Sequence, residues 1–97
     1  MAMFVLLHVR GPAVPDGQTV GEQAGIAGHY DFLRRRRGAG QLVLAGPFLD
    51  TEGAGMTILE VESAEEAQRL AAHDDQAVVD GVLAVTVRPW RVVMSGS

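Results

Sequence analysis

The 97-residue chain contains no cysteine and no lysine. Without cysteine there can be no disulfide framework, no thiolate metal site and no thiol nucleophile. Without lysine there is neither Schiff-base chemistry nor the lysine of a phosphate-binding P-loop. All 8 basic residues are therefore arginine, against 12 acidic residues. The net charge of −4 has the wrong sign for a domain whose main partner is a phosphate backbone. No apolar run approaches the roughly 20 residues that span a bilayer. The N-terminal stretch MAMFVLLHVR lacks the basic region and small-residue cleavage site of a secretory leader. The expectation is a cytoplasmic protein that engages neither membrane nor nucleic acid. Glycine-rich dinucleotide and Walker sequences are absent. None of Ser63, Ser95 and Ser97 has the glycine-flanked setting of a nucleophile elbow.

What is present reads as one globular domain over residues 1–97, with 47% hydrophobic and 21% charged residues. Met3 to Val9 is an almost continuous apolar run of β-formers, the first strand. Arg10 to Thr19 carries two prolines and two glycines and reads as a loop. From Val20 to Arg37 the pattern turns helical, with Ile26, Tyr30, Leu33 and Arg37 on one stripe, and Gly38 and Gly40 stop it. Gln41 to Phe48 and Met56 to Val61 are strands two and three, joined by the turn-like LDTEGAG. Ser63 with Glu66 is a capping box opening a second helix, which puts Ala64, Ala67, Leu70 and Ala71 inward and fades at His73-Asp74-Asp75. Gln76 to Gly81 has room for one more short turn. Val82 to Val93 is the last strand, broken or bent at Pro89, and Met94 to Ser97 is a tail.

The order βαββαβ predicts an α+β, ferredoxin-like fold: a four-stranded antiparallel sheet with two helices on one face. Phe4 and Leu6 point to one face, Val5 and Leu7 to the other, and Leu42 and Leu44 oppose Val43 and Ala45. A sheet apolar on both faces needs cover on both. Two helices cover only one, so the pattern predicts a homodimer packed through its sheets.

Arg34 to Arg37 sweep roughly 300° around a helix and cannot line one groove. Cations also suit the last turn of a helix. The run reads as a solvated helix end, with Arg36, nearest the His29 side, the one candidate for gripping an anion. His29 sits at the edge of the apolar stripe. A histidine there can move a proton near neutral pH, or serve as a half-buried structural residue with one hydrogen bond. His8, on the Phe4–Leu6 face, can be structural or can bond across the dimer. His73 suits a helix end. Asp74 and Asp75 oppose the helix dipole, so they read either as a solvated turn or as partners of a cation such as an oriented histidine. Adjacent side chains in His73-Asp74-Asp75 diverge, and no metal is expected from that run.

GHYDFL, GQLVLAGP, the Gly-Ala-Gly approach to strand three, ESAEEAQ, an aspartate after the second helix, then Gly-Val, and a last strand ending in Val-Arg-Pro-Trp lie in an order that resembles the YCII-related family. The resemblance covers about Met3 to Val93. It implies a ferredoxin-like dimer whose sheets pack together, forming a dimeric α/β barrel. It further implies a pocket holding a histidine–aspartate pair for acid–base chemistry. Some members resemble lyases or dehydrochlorinases acting on small cyclic or aromatic-derived substrates. The family histidine matches His29 and the aspartate matches Asp75. Gln76 replaces the proline usual after the aspartate, and Ala27-Gly28 replaces an Arg-Pro-x lead-in to the histidine.

The expected function is cofactor-free acid–base catalysis on a small molecule, elimination or isomerisation, with His29 as acid/base and Asp75 orienting it. The substrate would be cyclic or anionic, held by Gly46, Pro47, Phe48, His8 and Arg36. The alternative is a non-catalytic dimeric module that holds a small acidic ligand in the same pocket, with Arg36 as counterion.

Overall fold

A computed structural model describes residues 1–96; Ser97, the end of the expected tail, lies outside the described residues. The elements in chain order are β1 (Ala2–Arg10), α1 (Ala27–Gly38), β2 (Leu42–Pro47), β3 (Gly55–Val61), α2 (Ala64–Arg69), α3 (Gln76–Val79) and β4 (Leu83–Trp90). The strands form one antiparallel sheet in the order β4–β1–β3–β2, the ferredoxin-like arrangement. A 3-10 turn, Ala24–Ile26, leads into α1, and a π-helical turn, Leu70–Asp74, continues α2 toward α3.

Alternation in the central strand sets the core. Phe4, Leu6 and His8 are buried against the helices. Phe4 and Leu6 lie opposite Leu59 and Thr57 of β3, and Leu6 and His8 opposite Val87 and Val85 of β4. They pack with Phe32 of α1 and with Ala67, Leu70 and Ala71 from the second helical segment. Full burial of each large apolar side chain contributes about 1.5–3 kcal/mol. Ser63 Oγ accepts the Glu66 amide at 3.2 Å, half of the expected capping box. Glu66 reaches back to the amide of Glu62, one residue before the cap.

Three elements depart from expectation, the first of them α1. Helix α1 starts at Ala27, not Val20; the Val20 and Gly21 amides donate to the Glu52 carboxylate at 2.8 and 3.3 Å, and only a 3-10 turn, Ala24–Ile26, precedes the helix. Its buried face is also rotated. Phe32 is fully buried, whereas Tyr30 is 52% exposed and Arg37 is exposed, so His29, Phe32, Leu33 and Arg36 form the inward stripe. Second, Leu42 and Leu44 do not share a face. A register shift lets Leu42 oppose Leu59 on the helix side, while Leu44 opposes Ile58 on the other. Third, β4 runs unbroken through Pro89, which an edge strand tolerates because one row of its amides needs no partner.

His8 also lies on the helix side of the sheet and not on the open face from which it could bond across a dimer. Among the described residues no helix packs on the open face, which carries half-buried Met3, Val5 and Leu7 beside Met56, buried Ile58 and the 68% exposed Leu44. Among the described residues no helix is long and apolar enough to cross a membrane.

Candidate active site

The site forms where α1 crosses the start of α3 above the end of β1. Gly28 permits the crossing. A Cβ there would stand 2.9 Å from Gln76 Cβ and 3.4 Å from the Ala77 amide, so any other residue would hold the two helices apart. The next residue, His29, thereby meets Asp75.

Asp75 is completely buried and is the N-cap of α3. Its Oδ1 accepts the Ala77 amide at 3.1 Å. Its Oδ2 lies 2.7 Å from His29 Nδ1, a hydrogen bond between residues 46 apart in sequence. His8 closes the group. Its Nε2 is 3.7 Å from the same Asp75 oxygen, beyond hydrogen-bond range, and its ring meets His29 edge-on at 4.7 Å between centroids. Neither nitrogen of His8 has a hydrogen-bond partner among the described residues. Burial pushes the His8 imidazole down to about 4; the neighbouring His29 adds to the shift, and Asp75 opposes it. His8 is therefore neutral at pH 7. Phe32 lies nearly parallel to the His29 ring, with centroids 6.2 Å apart and planes 21° from each other.

The two histidines form part of the wall of a cavity of about 150 Å³. Ile26, Tyr30 and Leu33 come from the α1 side, Gly46, Pro47 and Met56 from β2 and β3, and Glu52 from the turn between those strands. The wall is mostly apolar, with the two imidazoles, the Tyr30 phenol and the Glu52 carboxylate as its polar side-chain groups. Asp75 stands behind the histidines and is not part of the lining.

These contacts place the residues anticipated from sequence. His29, Asp75 and His8 come together, and Gly46 and Pro47 join the wall. Phe48 does not; it borders a shallower depression with Leu44 and Ile58. Arg36 is also turned elsewhere. Its Nη2 pairs with Asp74 at 3.2 Å, its Nη1 donates to Gln41 at 2.7 Å, and its guanidinium lies over Phe32. Arg35 binds the carbonyl and the carboxylate of Asp74. Half of the arginine run thus holds the residue next to Asp75, while Arg34 pairs with Asp31 on the surface. Glu52 had no signal in the sequence beyond a turn, because its task depends on the distant Val20 and Gly21 amides.

The sequence matches the YCII-related domain over residues 2–91. The chain belongs to the YCII-related family. Within that family it is 37% identical over 70 residues to the uncharacterised protein YjpA of Bacillus subtilis (strain 168), a match spanning 72% of this chain and 80% of that protein. In fold this YCII-related chain is similar to 5-chloro-2-hydroxyhydroquinone dehydrochlorinase from Burkholderia phenoliruptrix AC1100, solved in complex with 2,5-dihydroxybenzoquinone. The TM-score is 0.66 at 18% identity, covering 91% of this chain and 93% of that one.

Proposed function

We propose that this YCII-related protein catalyses proton transfer on a small cyclic substrate, with His29 as general acid/base and Asp75 as the group that orients it. The observation that carries this reading is the 2.7 Å contact between His29 Nδ1 and a fully buried carboxylate, made in the wall of a cavity. A carboxylate at Nδ1 favours the tautomer protonated there and leaves Nε2 as the basic nitrogen. It also stabilises the imidazolium formed when Nε2 takes a proton. His29 removes a proton from an O–H or C–H of the substrate. The electron pair left behind either expels an anion such as chloride or shifts a double bond, and His29 returns the proton to complete an isomerisation. Such a pair contributes about 10²–10⁴-fold.

The cavity volume of about 150 Å³ matches a space that takes one benzene-sized ring. The mostly apolar wall suits the faces of such a ring, and the neutral His8 suits a polar substituent. That fit supports a small ring as substrate, and the dehydrochlorinase of similar fold suggests chlorinated hydroxyquinols as the first compounds to try. The same reading includes a homodimer, packed through the open face of the sheet, since half-buried Val5 and Leu7 and exposed Leu44 there have no helix over them among the described residues.

The test is chloride release and ultraviolet spectral change with 5-chloro-2-hydroxyhydroquinone and related enols, using the wild type, His29→Gln and Asp75→Asn. Turnover that falls at least 100-fold in His29→Gln, while 2,5-dihydroxybenzoquinone still binds, supports the proposal. Binding without turnover across the whole panel would replace it with the non-catalytic ligand-binding reading.

A further inference from the structure

His8 moves no proton in the acid–base reading, and nothing among the described residues hydrogen-bonds its ring. A buried imidazole with both nitrogens unpartnered is costly, since each lost hydrogen bond to water goes unreplaced. An apolar residue would fill the same space without that cost. Its ring nitrogen instead faces the Asp75 oxygen that His29 already holds. One ring nitrogen of His8, one of His29 and one carboxylate oxygen of Asp75 all lie within 4.8 Å of one another.

We propose that His8, His29 and Asp75 bind one divalent cation of the zinc class, with its remaining coordination position open to the cavity. This goes beyond the acid–base reading, because the ion takes the place of the proton that His29 and Asp75 share. Two imidazoles and a carboxylate are the donors that borderline first-row ions prefer. A tetrahedral ion with ligands at about 2.0–2.1 Å separates them by roughly 3.3 Å. The spacings of 2.7 Å from Asp75 to His29 and 3.7 Å from Asp75 to His8 bracket that value.

The surroundings agree. Asp75 brings one negative charge to the group, and the arginines that could have neutralised it, Arg35 and Arg36, are spent on Asp74. The Ala77 amide holds the second oxygen of Asp75, the kind of outer contact that aims a ligating carboxylate. Both histidines border the cavity, so a small-molecule oxygen or a water has access to the fourth position. The site uses residues from β1, α1 and the α2–α3 junction, so binding would tie three elements together and raise stability by mass action.

The test titrates cobalt(II) into chelator-treated full-length protein, followed by visible absorption, with zinc(II) as competitor. The expected result is saturation at one ion per chain, a tetrahedral-type visible spectrum, displacement by zinc, and a rise in melting temperature. His8→Gln should weaken binding more than about 100-fold, beyond the roughly 10–100-fold that loss of an outer contact costs. His73→Ala, on an exposed helix end, should leave it unchanged. Melting of each variant without metal separates lost ligation from lost folding, and His29→Gln serves as a second ligand variant. Absence of saturable binding at micromolar cobalt, or binding lost in His73→Ala and kept in His8→Gln, overturns the proposal. The acid–base reading is judged on the chelator-treated protein, so the two can fail separately.

Discussion

His29 Nδ1 and Asp75 Oδ2 stand 2.7 Å apart, and the aspartate that aims the histidine is also the N-cap of the next helix. One carboxylate therefore joins the geometry of the candidate site to local folding. Asp75→Asn keeps an oxygen for the Ala77 amide but loses the charge facing His29. Asp75→Ala loses both and leaves buried donors unsatisfied. Urea denaturation should show Asp75→Ala less stable than Asp75→Asn by about 0.5–2 kcal/mol, the usual worth of a cap. Equal stability of the two variants would show that the cap contributes nothing.

Gly28 reverses an ordinary rule. Glycine to alanine inside a helix normally adds about 0.5–1 kcal/mol of stability. At Gly28 the new methyl would stand 2.9 Å from Gln76 Cβ, so Gly28→Ala should destabilise by about 1–3 kcal/mol and loosen the contact between His29 and Asp75. Gly38→Ala meets nothing within 4 Å and should be neutral or stabilising. Thermal melts of the two variants run side by side check the contrast.

The stability of metal-free protein should depend on pH through His8. Its folded pKa of about 4 lies below the ordinary value of 6.5, so the unfolded chain binds the proton more readily. The stabilisation is complete above pH 6.5 and is lost as pH falls toward 4, a change on the order of 3 kcal/mol. His29 and Asp75 face His8 and act on it in opposite senses. Urea midpoints measured across this window should fall steeply in the wild type and less steeply in His8→Leu.

The arginine run should divide by position. Arg36 is largely buried between Asp74, Gln41 and Phe32, whereas Arg37 is exposed. Arg36→Ala should lower stability by about 1–2 kcal/mol, and Arg37→Ala should stay within about 0.5 kcal/mol. Equal effects would mean that the hold on Asp74 carries no weight.

The proposed dimer predicts sedimentation at twice the chain mass at micromolar concentration. A charge at the centre of the open sheet face, Val5→Glu, should give monomers that keep the fold by circular dichroism. A monomeric wild type would sink the dimer and leave the site, which lies on the helix side, untouched.

Much of the fold is legible in the sequence because its causes are local. MFVLLHV is a strand by composition, ESAEEAQ carries a helix cap in its side chains, and the βαββαβ order points to the sheet. The pairing of His29 with Asp75 came instead from family resemblance, because spacing alone left both residues with bland readings. The rotation of α1 is not legible locally, because Tyr30 and Phe32 are both aromatic yet lie about 200° apart, on nearly opposite faces of the helix. Choosing between them requires knowing which meets Leu6 and Leu59.

The sequence by itself determined the element types, the exclusion of thiol and lysine chemistry, and a sheet apolar on both faces. Tertiary structure alone decided which way His8 faces, that Leu42 and Leu44 part company at a bulge, and that Arg36 serves Asp74 and leaves the cavity wall. Helix and strand follow from side chains a few residues apart. The grouping of residues 8, 29 and 75 follows from how closely α1 approaches α3, which the missing side chain of Gly28 sets.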